Sequence, residues 1–330
     1  MERIKLQGLE SWEYEHPLDN STLETLKKTP LFPKILELTN IPMNSLYRFD
    51  LLGSLLRVNK NQLPALYNIF RTACDILGVD EPLFYIDANP EFNAYTVCSD
   101  KPIVVIHGYL LDIMDDNELM FVIGHELAHI KSNHVLYKQL GFILQKGILN
   151  NIISSIPGIG LLSDVAIMSL NYAYTQWVRA GEYTGDRGGY LACQDFTVSC
   201  SALMKTAGYS KRFAHTLSLG EFIEQGRAFE TLDTDTLGKI QKIILSYSNN
   251  HPWTVSRVHE LIRFNENGNY STILQRKSER KTYKPANPVS ETFAPAASQA
   301  YDQAKYAANK AIKGFTEGLT KLMGDEDKEK

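Results

Sequence analysis

The sequence predicts a mostly helical α+β fold, with a small sheet beside one helix that carries unusual chemistry. Three short runs rich in β-branched and aromatic residues, at 83–87, 94–98 and 103–107, are each bounded by turn signals and predict strands. The last two are separated by "SDKP" and predict a hairpin. Most of the remaining chain places apolar residues three and four apart, which is typical of amphipathic helices.

Residues 1–80 are predicted to form an N-terminal helical region that packs on the body of the protein. Prolines divide this region into several helices. The run "STLETLKK" begins with Ser21 and has Glu24 three residues later, a capping-box pattern that predicts a helix start. In the run 59–78, apolar side chains recur on one helical face, and Gly78 is expected to end the helix.

Composition excludes several classes of protein. The 330 residues are 44% apolar, which is enough for a hydrophobic core. The formal net charge is -4, so the overall charge gives no indication of nucleic-acid binding. The four cysteines form no CxxC pair, which predicts reduced, buried thiols. The N-terminal run "MERIKLQGLESWEYEHPLDN" contains no apolar signal-peptide core, which predicts a cytoplasmic protein.

The strongly apolar stretch 139–178 raises the question of a membrane span. Polar residues interrupt it, among them Lys146 and Asp164, and no run reaches the ~18 uninterrupted apolar residues that indicate a span. Pro157 and Gly158 break the stretch in the middle. We predict two amphipathic helices joined at "PGIG", with core packing favoured over a hairpin that dips into a membrane.

A chemically distinctive helix is predicted to begin at Asp115, which has Glu118 three residues later as in a capping box. It contains "HELAH", in which His125 and His129 are four residues apart and therefore share one face. Two neutral imidazoles can bind one Zn²⁺, and Glu126 lies near enough to accept a proton from a water at the metal. This HExxH pattern predicts a hydrolytic zinc site. The alternative is a pair of buried histidines satisfied by backbone carbonyls.

A catalytic zinc needs a third protein ligand, and Glu182 is the candidate. In "RAGEYTGD", Glu182 and Asp186 are four residues apart on a predicted helix, so the aspartate can accept a hydrogen bond from a ligand imidazole. Arg179, one turn earlier, can pair with either carboxylate. The alternative is a solvated acidic face. The rival third ligands are Glu221, Glu224 and Glu260.

Two further features of these helices predict structural roles. His134 follows His125 by two and a half helical turns, so it is predicted to face away from the metal. The segment 177–193 is unusually rich in glycine for a helix. Because glycine lowers helix propensity, we expect close packing of this helix against another element.

HExxH followed by ExxxD on a second helix resembles the gluzincin pattern, and the local forms are similar to the HtpX and CaaX-prenyl-protease type of zinc peptidase, peptidase family M48. The resemblance extends upstream through "FNAYTVCSDKPIVVIHGYLLDIMDDNEL" and downstream to "NNHPWTVSRVHEL", so that it covers 80–265. It implies a gluzincin-type fold, one zinc ion per chain and hydrolysis of peptide bonds in polypeptide substrates. Carried over to this sequence, it assigns the zinc ligands His125, His129 and Glu182, the general base Glu126, a supporting Asp186, an oxyanion donor at His251 and a structural Arg257. The chain departs from the family at Gly185, where alanine is usual, and in the polar-interrupted loop between the two motifs, which is often transmembrane in relatives.

The remaining sequence is divided by composition and by this resemblance. We expect a zinc metallopeptidase domain at 81–270, a basic, proline-containing linker at 271–297 and a tail at 298–330. Within the tail, 298–323 has one apolar stripe flanked by lysines, which predicts a helix lying on an anionic membrane. The alternative is that this helix docks on the protein's own body.

The sheet is expected to serve substrate binding. We predict that strand 103–107 forms an edge beside the zinc cleft and pairs with an extended peptide by main-chain hydrogen bonds. Backbone recognition tolerates many side chains, which suits a protease acting on unfolded or damaged proteins. One rival interpretation is another zinc hydrolase, such as peptide deformylase. That enzyme pairs HExxH with an upstream cysteine motif, and the sequence around Cys98 does not match this motif. The other is a scaffold or membrane-binding protein with a structural zinc, and Glu126 argues against it because such a site needs no base.

Overall fold

The computed structural model describes residues 3–28, 43–138, 162–231 and 252–276. Predictions for 139–161, for His251 and for the chain beyond residue 276 therefore lie outside the described residues. The α-helices are α1 (Pro17–Lys27), α2 (Met43–Ser54), α3 (Pro64–Leu77), α4 (Gly108–Ile113), α5 (Asp116–Lys131), α6 (Leu162–Cys193), α7 (Phe196–Ala207), α8 (Leu219–Thr231), α9 (Thr254–Glu266) and α10 (Asn269–Gln275). The strands are β1 (Leu56–Arg57), β2 (Leu83–Asp87), β3 (Ala94–Val97) and β4 (Ile103–His107).

The four strands form one sheet in the order β1-β2-β4-β3. β2 and β4 run parallel, while β3 and β4 are antiparallel with Ala94 opposite Ile106, so the predicted hairpin is confirmed. The prediction that 103–107 forms an edge was wrong. β4 lies between β2 and β3, and each of its five residues is buried, because parallel pairing to β2 covers the side that we expected to be open. The edge strand next to β4 is β3.

Helices α5 and α6 approach each other closely along small residues. A Cβ added at Gly188 would lie 2.2 Å from Ala128 Cβ, and one added at Gly124 would lie 2.4 Å from Ala192 Cβ. Only the missing side chain of glycine allows this approach. The predicted close packing of the glycine-rich helix is therefore confirmed, and it brings the histidines of α5 opposite the acidic residues of α6.

Of the two helices predicted in the N-terminal region, one forms as expected and the other begins at a different residue. The predicted apolar face of α3 packs on the core, and Gly78 ends that helix with a φ of 62°. Helix α1 instead begins one turn before the predicted start. Pro17 is its first residue, and the ring of His16 caps it by accepting a hydrogen bond from the Leu18 N–H. The predicted capping box at Ser21 was wrong, because proline with its preset φ starts the helix earlier.

The N-terminal segment 3–28 packs against α6 and α9. Arg187 Nη1 in α6 donates a hydrogen bond of 3.0 Å to the carbonyl oxygen of Glu15. His16 Nε2 lies 2.9 Å from Glu260 Oε2 in α9. Contacts of this kind, together with buried apolar side chains in the segment, attach it to the same two helices that border the histidines.

Two global predictions can be compared with the structure. All four cysteines are free and buried, which confirms the predicted thiols. Within the described part of the chain, no helix is both long enough and apolar enough to cross a membrane.

Candidate metal centre

A capping box fixes the start of α5, the helix that carries the HExxH motif. Asp115 accepts hydrogen bonds from the backbone N–H groups of Asn117 and Glu118, and the Glu118 carboxylate accepts one from the Asp115 N–H. The predicted capping box is confirmed. Lys205 in α7 donates to Glu118 Oε2 at 2.6 Å, so the start of α5 is also tied to a second helix.

Two histidines of α5 and one glutamate of α6 direct their ligand atoms at one another. His125 Nε2 lies 3.1 Å from His129 Nε2 and 3.5 Å from Glu182 Oε2. His129 Nε2 lies 3.4 Å from Glu182 Oε1. All three side chains are buried, and one ligand atom from each lies within 4.8 Å of the others. Among the described residues, no other group of three His, Cys, Asp or Glu side chains meets in this way.

A positive charge already contacts this group of ligand atoms. The Lys138 ammonium lies 3.1 Å from His129 Nε2 and 3.2 Å from Glu182 Oε1. Imidazole nitrogens and a carboxylate oxygen are the donors that Zn²⁺ prefers in hydrolytic sites. The residues therefore fit a zinc ion, which would replace the ammonium at these atoms.

The two histidines have opposite tendencies to bind a proton. Burial lowers the pKa of His125, but its hydrogen bonds and charge interactions with Asp186 and Glu182 outweigh burial and raise it to about 9. Burial and the Lys138 ammonium hold the pKa of His129 well below its ordinary value. His129 is therefore neutral, and its Nε2 is the acceptor for the Lys138 ammonium.

Asp186 supports His125 from the side away from the other ligand atoms. Its Oδ1 lies 3.0 Å from His125 Nδ1, so the ring donates to the carboxylate and presents Nε2 to the cluster. Arg257 in α9 donates to both carboxylate oxygens, at 2.8 and 2.6 Å. Burial raises the pKa of Asp186, but the Arg257 guanidinium outweighs burial and holds it below its ordinary value. Arg179, which we expected to pair with a carboxylate, instead lies 5.8 Å from the centroid of the Trp253 ring, and Arg257 takes that place.

His134 lies behind His129, on the side away from the candidate ligand atoms, and not on the opposite helix face as predicted. Helix α5 ends at Lys131, and Asn133 has a φ of 56° that turns the chain back. His134 Nδ1 thereby lies 2.8 Å from His129 Nδ1, and His134 Nε2 lies 2.8 Å from Asp19 Oδ2. The predicted position on the opposite helix face was wrong because that prediction extended the helix beyond its last turn.

Glu126 and strand β3 line the same cavity, which has a volume of about 460 Å³. The hydroxyl of Thr96 in β3 donates to Glu126 Oε2 at 2.8 Å. His125 and Glu182 line the same cavity, as does the segment 92–95 immediately before Thr96. A carboxylate, the candidate metal ligands and an edge strand therefore border one space.

The rival third ligands do not belong to this cluster. Glu260 pairs with His16, and Glu221 and Glu224 are exposed. Of the four candidates, Glu182 is the one that meets the two histidines. His251 lies outside the described residues, and its neighbour Pro252 lines the cavity.

Comparison with known proteins decides the family. The sequence model of peptidase family M48 matches residues 64–264, which is more than half of the chain. The chain belongs to peptidase family M48. The M48 peptidase is therefore a metalloprotease, a hydrolase whose substrates are polypeptides. Its mostly helical fold with a four-stranded sheet is of the gluzincin type, as predicted.

Several relatives of the M48 peptidase agree with this assignment. It is 28% identical to Plastoglobule-localized metallopeptidase 48, chloroplastic, of Arabidopsis thaliana over 282 residues, which are 84% of this chain and 80% of that protein. It is 23% identical to a Protease HtpX homolog of Polynucleobacter necessarius over 234 residues, which are 65% of this chain and 78% of that protein. With a Protease HtpX homolog of Tropheryma whipplei it shares 28% identity over 116 residues, which are 34% of this chain and only 36% of that protein. No solved structure matches the chain.

Two contacts of this M48 site were not predicted from the sequence. Asp19 gives no local signal, because it lies in a distant segment that meets the site only after folding. Threonine is common in strands, so the residue type at position 96 did not mark it as part of the site. The sharp end of α5 did leave a signal, since Asn133 is a residue that tolerates positive φ at a helix end.

Proposed function

We propose that this M48 peptidase is a zinc endopeptidase, with one Zn²⁺ held by His125, His129 and Glu182 and with Glu126 as the general base. The observation that carries the proposal is the buried cluster of three ligand atoms beside a cavity that Glu126 also lines. Three protein ligands leave a coordination position for water, as in hydrolytic zinc sites. The Lys138 ammonium at two of these ligands supports an affinity for cations.

The proposed reaction is hydrolysis of a peptide bond. When bound, zinc acts as a Lewis acid and lowers the pKa of a coordinated water to about 7. Glu126 accepts a proton from the attacking water as the water oxygen bonds to the carbonyl carbon of the substrate. Glu126 then delivers that proton to the amide nitrogen as the C–N bond breaks, which yields a carboxylic acid and an amine. The hydrogen bond from Thr96 orients the Glu126 carboxylate for both transfers.

The substrate is proposed to bind as an extended strand along β3. β3 is an edge strand that lines the cavity, and its Thr96 contacts Glu126. A peptide paired with this edge would carry its main-chain carbonyls past the carboxylate. Main-chain pairing depends little on side chains, which supports unfolded or damaged polypeptides as substrates.

His251 is proposed to stabilise the oxyanion that develops on the substrate carbonyl. Support comes from its neighbour Pro252, which lines the cavity. His251→Phe should leave the zinc content unchanged and lower kcat roughly 10²–10³-fold, because the donor acts on charge that develops in the transition state. A change confined to KM would instead make His251 a substrate-binding residue.

Zinc analysis and casein digestion of a matched set of variants test the proposal. Wild type should bind one zinc per chain and digest casein. Glu126→Gln should keep the zinc and lose roughly 10²–10⁴-fold in rate, while Glu182→Ala should lose the zinc. Glu221→Gln, which changes an exposed rival carboxylate, is the control and should match wild type. Near-normal turnover of Glu126→Gln would overturn the mechanism, and zinc binding without hydrolysis in wild type would favour the scaffold alternative.

We also propose a location and a division of the chain. The zinc peptidase domain would occupy 81–270, and the tail helix at 298–323 would hold a cytoplasmic protein at a membrane surface. The amphipathic pattern of the tail and the plastoglobule location in the name of the Arabidopsis thaliana relative support this. Removal of 290–330 should abolish binding to anionic liposomes at low salt without reducing hydrolysis. A lower melting temperature after this deletion would favour docking on the body instead.

A further inference from the structure

A chain of hydrogen bonds leads away from His129 on the side opposite the candidate metal ligands. His129 Nδ1 lies 2.8 Å from His134 Nδ1, and His134 Nε2 lies 2.8 Å from Asp19 Oδ2. Asp19 belongs to α1, whereas His129 is the last residue of the HExxH motif and His134 follows it by five residues. All three side chains are almost completely buried, so solvent cannot replace these contacts.

The protons in this chain have one consistent arrangement. His129 Nε2 accepts from the Lys138 ammonium at 3.1 Å, so the single proton of the neutral ring is on Nδ1. His129 Nδ1–H then donates to His134 Nδ1, which must therefore be unprotonated and accept through its lone pair. The proton of His134 is therefore on Nε2 and donates to the Asp19 carboxylate, which can only accept. Lys138 at one end and Asp19 at the other both require the hydrogen bonds to be donated from His129 toward Asp19. This arrangement leaves a lone pair on His129 Nε2.

The Asp19 carboxylate is itself held in place. The Thr184 hydroxyl donates to Asp19 Oδ2 at 2.6 Å, and the backbone N–H of His16 donates to the Thr184 oxygen at 3.0 Å. Thr184 lies two residues after Glu182 on α6, so one helix turn holds both a candidate ligand and the support of this carboxylate. Burial raises the pKa of Asp19, but the interactions with His134 and Thr184 outweigh burial and hold it below its ordinary value.

We propose that His134 and Asp19 act as positioning residues that fix the tautomer and the ring orientation of His129 for metal binding. The proposal rests on the proposed role of His129 as a zinc ligand. It gives the N-terminal segment 3–28 a function, because the match to the M48 family begins only at residue 64 and Asp19 lies before it. The segment would complete the metal centre from outside the matched region.

The segment has attachments that do not depend on Asp19. Tyr14 is buried, Arg187 donates to the Glu15 carbonyl oxygen, and His16 pairs with Glu260. Loss of the Asp19 carboxylate should therefore leave the segment docked. Loss of the Glu260 carboxylate should loosen the segment while leaving the contacts of Asp19 with His134 intact.

Zinc affinity, measured by competition with a chromophoric chelator, tests the proposal on the full chain. Asp19→Ala and His134→Phe should each weaken zinc binding roughly 10–100-fold, the usual effect of removing the partner of a ligand histidine. Asp19→Asn keeps an oxygen that can accept from His134 and should show a smaller loss. The visible absorption of Co²⁺-substituted protein should change in Asp19→Ala, because it reports the geometry of the ligands rather than activity.

Glu260→Gln is the matched control, since it should lower the melting temperature without changing zinc affinity. Equal weakening by Glu260→Gln and Asp19→Ala would overturn the proposal, because docking of the segment alone would then explain the effect. Wild-type affinity in Asp19→Ala and His134→Phe would also overturn it. If Asp19→Ala does not fold, Asp19→Asn and Thr184→Val carry the same test. If Glu182→Ala loses zinc while the Asp19 variants do not, the positioning role of Asp19 and His134 is wrong and the proposed zinc site stands. If Glu182→Ala retains zinc, the proposed zinc site itself is wrong.

Discussion

Thr96 and Glu126 join the edge strand β3 to helix α5 through one hydrogen bond of 2.8 Å between the hydroxyl and Oε2 of the carboxylate. Both residues are buried, at 8% and 5% exposure, so water is a poor substitute for this donor. A hydrogen bond to a charged group contributes about 1.5–3 kcal/mol. The strand proposed to bind the substrate therefore also orients the proposed base.

Thr96→Val replaces the hydroxyl with a methyl group of similar size and tests this relationship. We expect kcat for a peptide substrate to fall roughly 10–100-fold, because the carboxylate loses the donor that orients it. KM and zinc content should be unchanged. Thr96→Ser keeps the hydroxyl and should restore most of the rate. Wild-type kcat in Thr96→Val would show that Glu126 is oriented without this contact.

Gly185 lies against the ring of His125. A Cβ at this position would lie 2.6 Å from His125 Cε1 and 2.8 Å from both ring nitrogens. The ring would have to turn, and its hydrogen bond to Asp186 would be strained. We therefore expect Gly185→Ala to weaken zinc binding about tenfold, within the range seen when the support of a ligand is disturbed. Unchanged affinity in a chelator competition would mean that the ring accommodates an alanine at this position.

Local spacing accounts for the part of the site that could be predicted from the sequence. His125 and His129 share a helix face, as do Glu182 and Asp186, because side chains four apart on a helix point the same way. The caps of α5 and the end of α3 at Gly78 are equally local. Such features depend on a few neighbouring residues and need no knowledge of the fold.

Contacts between distant segments account for most of what was missed. Arg179 is near Glu182 and Asp186 in sequence, yet Arg257 from α9 is the residue that reaches Asp186. The edge position predicted for 103–107 was wrong for the same reason, since β4 inserts beside β2 although β3 precedes it in the chain. The unbroken apolar run of β4 was a usable signal, because strands buried on both faces lack polar alternation.

Gly188 provides a test of the close packing between α5 and α6. Its added Cβ would lie 2.2 Å from Ala128 Cβ, an overlap between two interior helices that side-chain rotation cannot relieve. Overpacking of this kind costs about 1–3 kcal/mol. Gly188→Ala should therefore lower the melting temperature by several degrees in thermal unfolding. Gly220→Ala is the control, because its Cβ would approach nothing closer than Ser218 Oγ at 3.9 Å among the described residues. An unchanged melting temperature for Gly188→Ala would contradict the observed helix spacing.

Glu260 is expected to make the stability of the protein depend on pH in the acid range. Burial raises the pKa of this carboxyl, but the hydrogen bond with His16 and the charges of His16, Arg263 and Arg187 outweigh burial and lower it to about 2. Its ordinary value is 4.5. The folded state therefore holds the carboxylate ionised more strongly than the unfolded state does. The resulting stabilisation is fully present above pH 4.5 and is lost as the pH falls from there toward 2.

Melting temperatures of wild type and Glu260→Gln, both treated with chelator, measure this contribution at a series of pH values. At pH 6 wild type should melt several degrees higher, because glutamine lacks the charge that Arg263 and Arg187 stabilise. Below pH 4.5 the difference should shrink steadily, since protonation of Glu260 in wild type removes the same charge that the substitution removes. Carboxylates that do not contact Glu260 titrate in both proteins and cancel in the difference, which isolates the pair of Glu260 and His16. A difference that stays constant from pH 6 to pH 3 would show that Glu260 stabilises the N-terminal segment by packing rather than by charge.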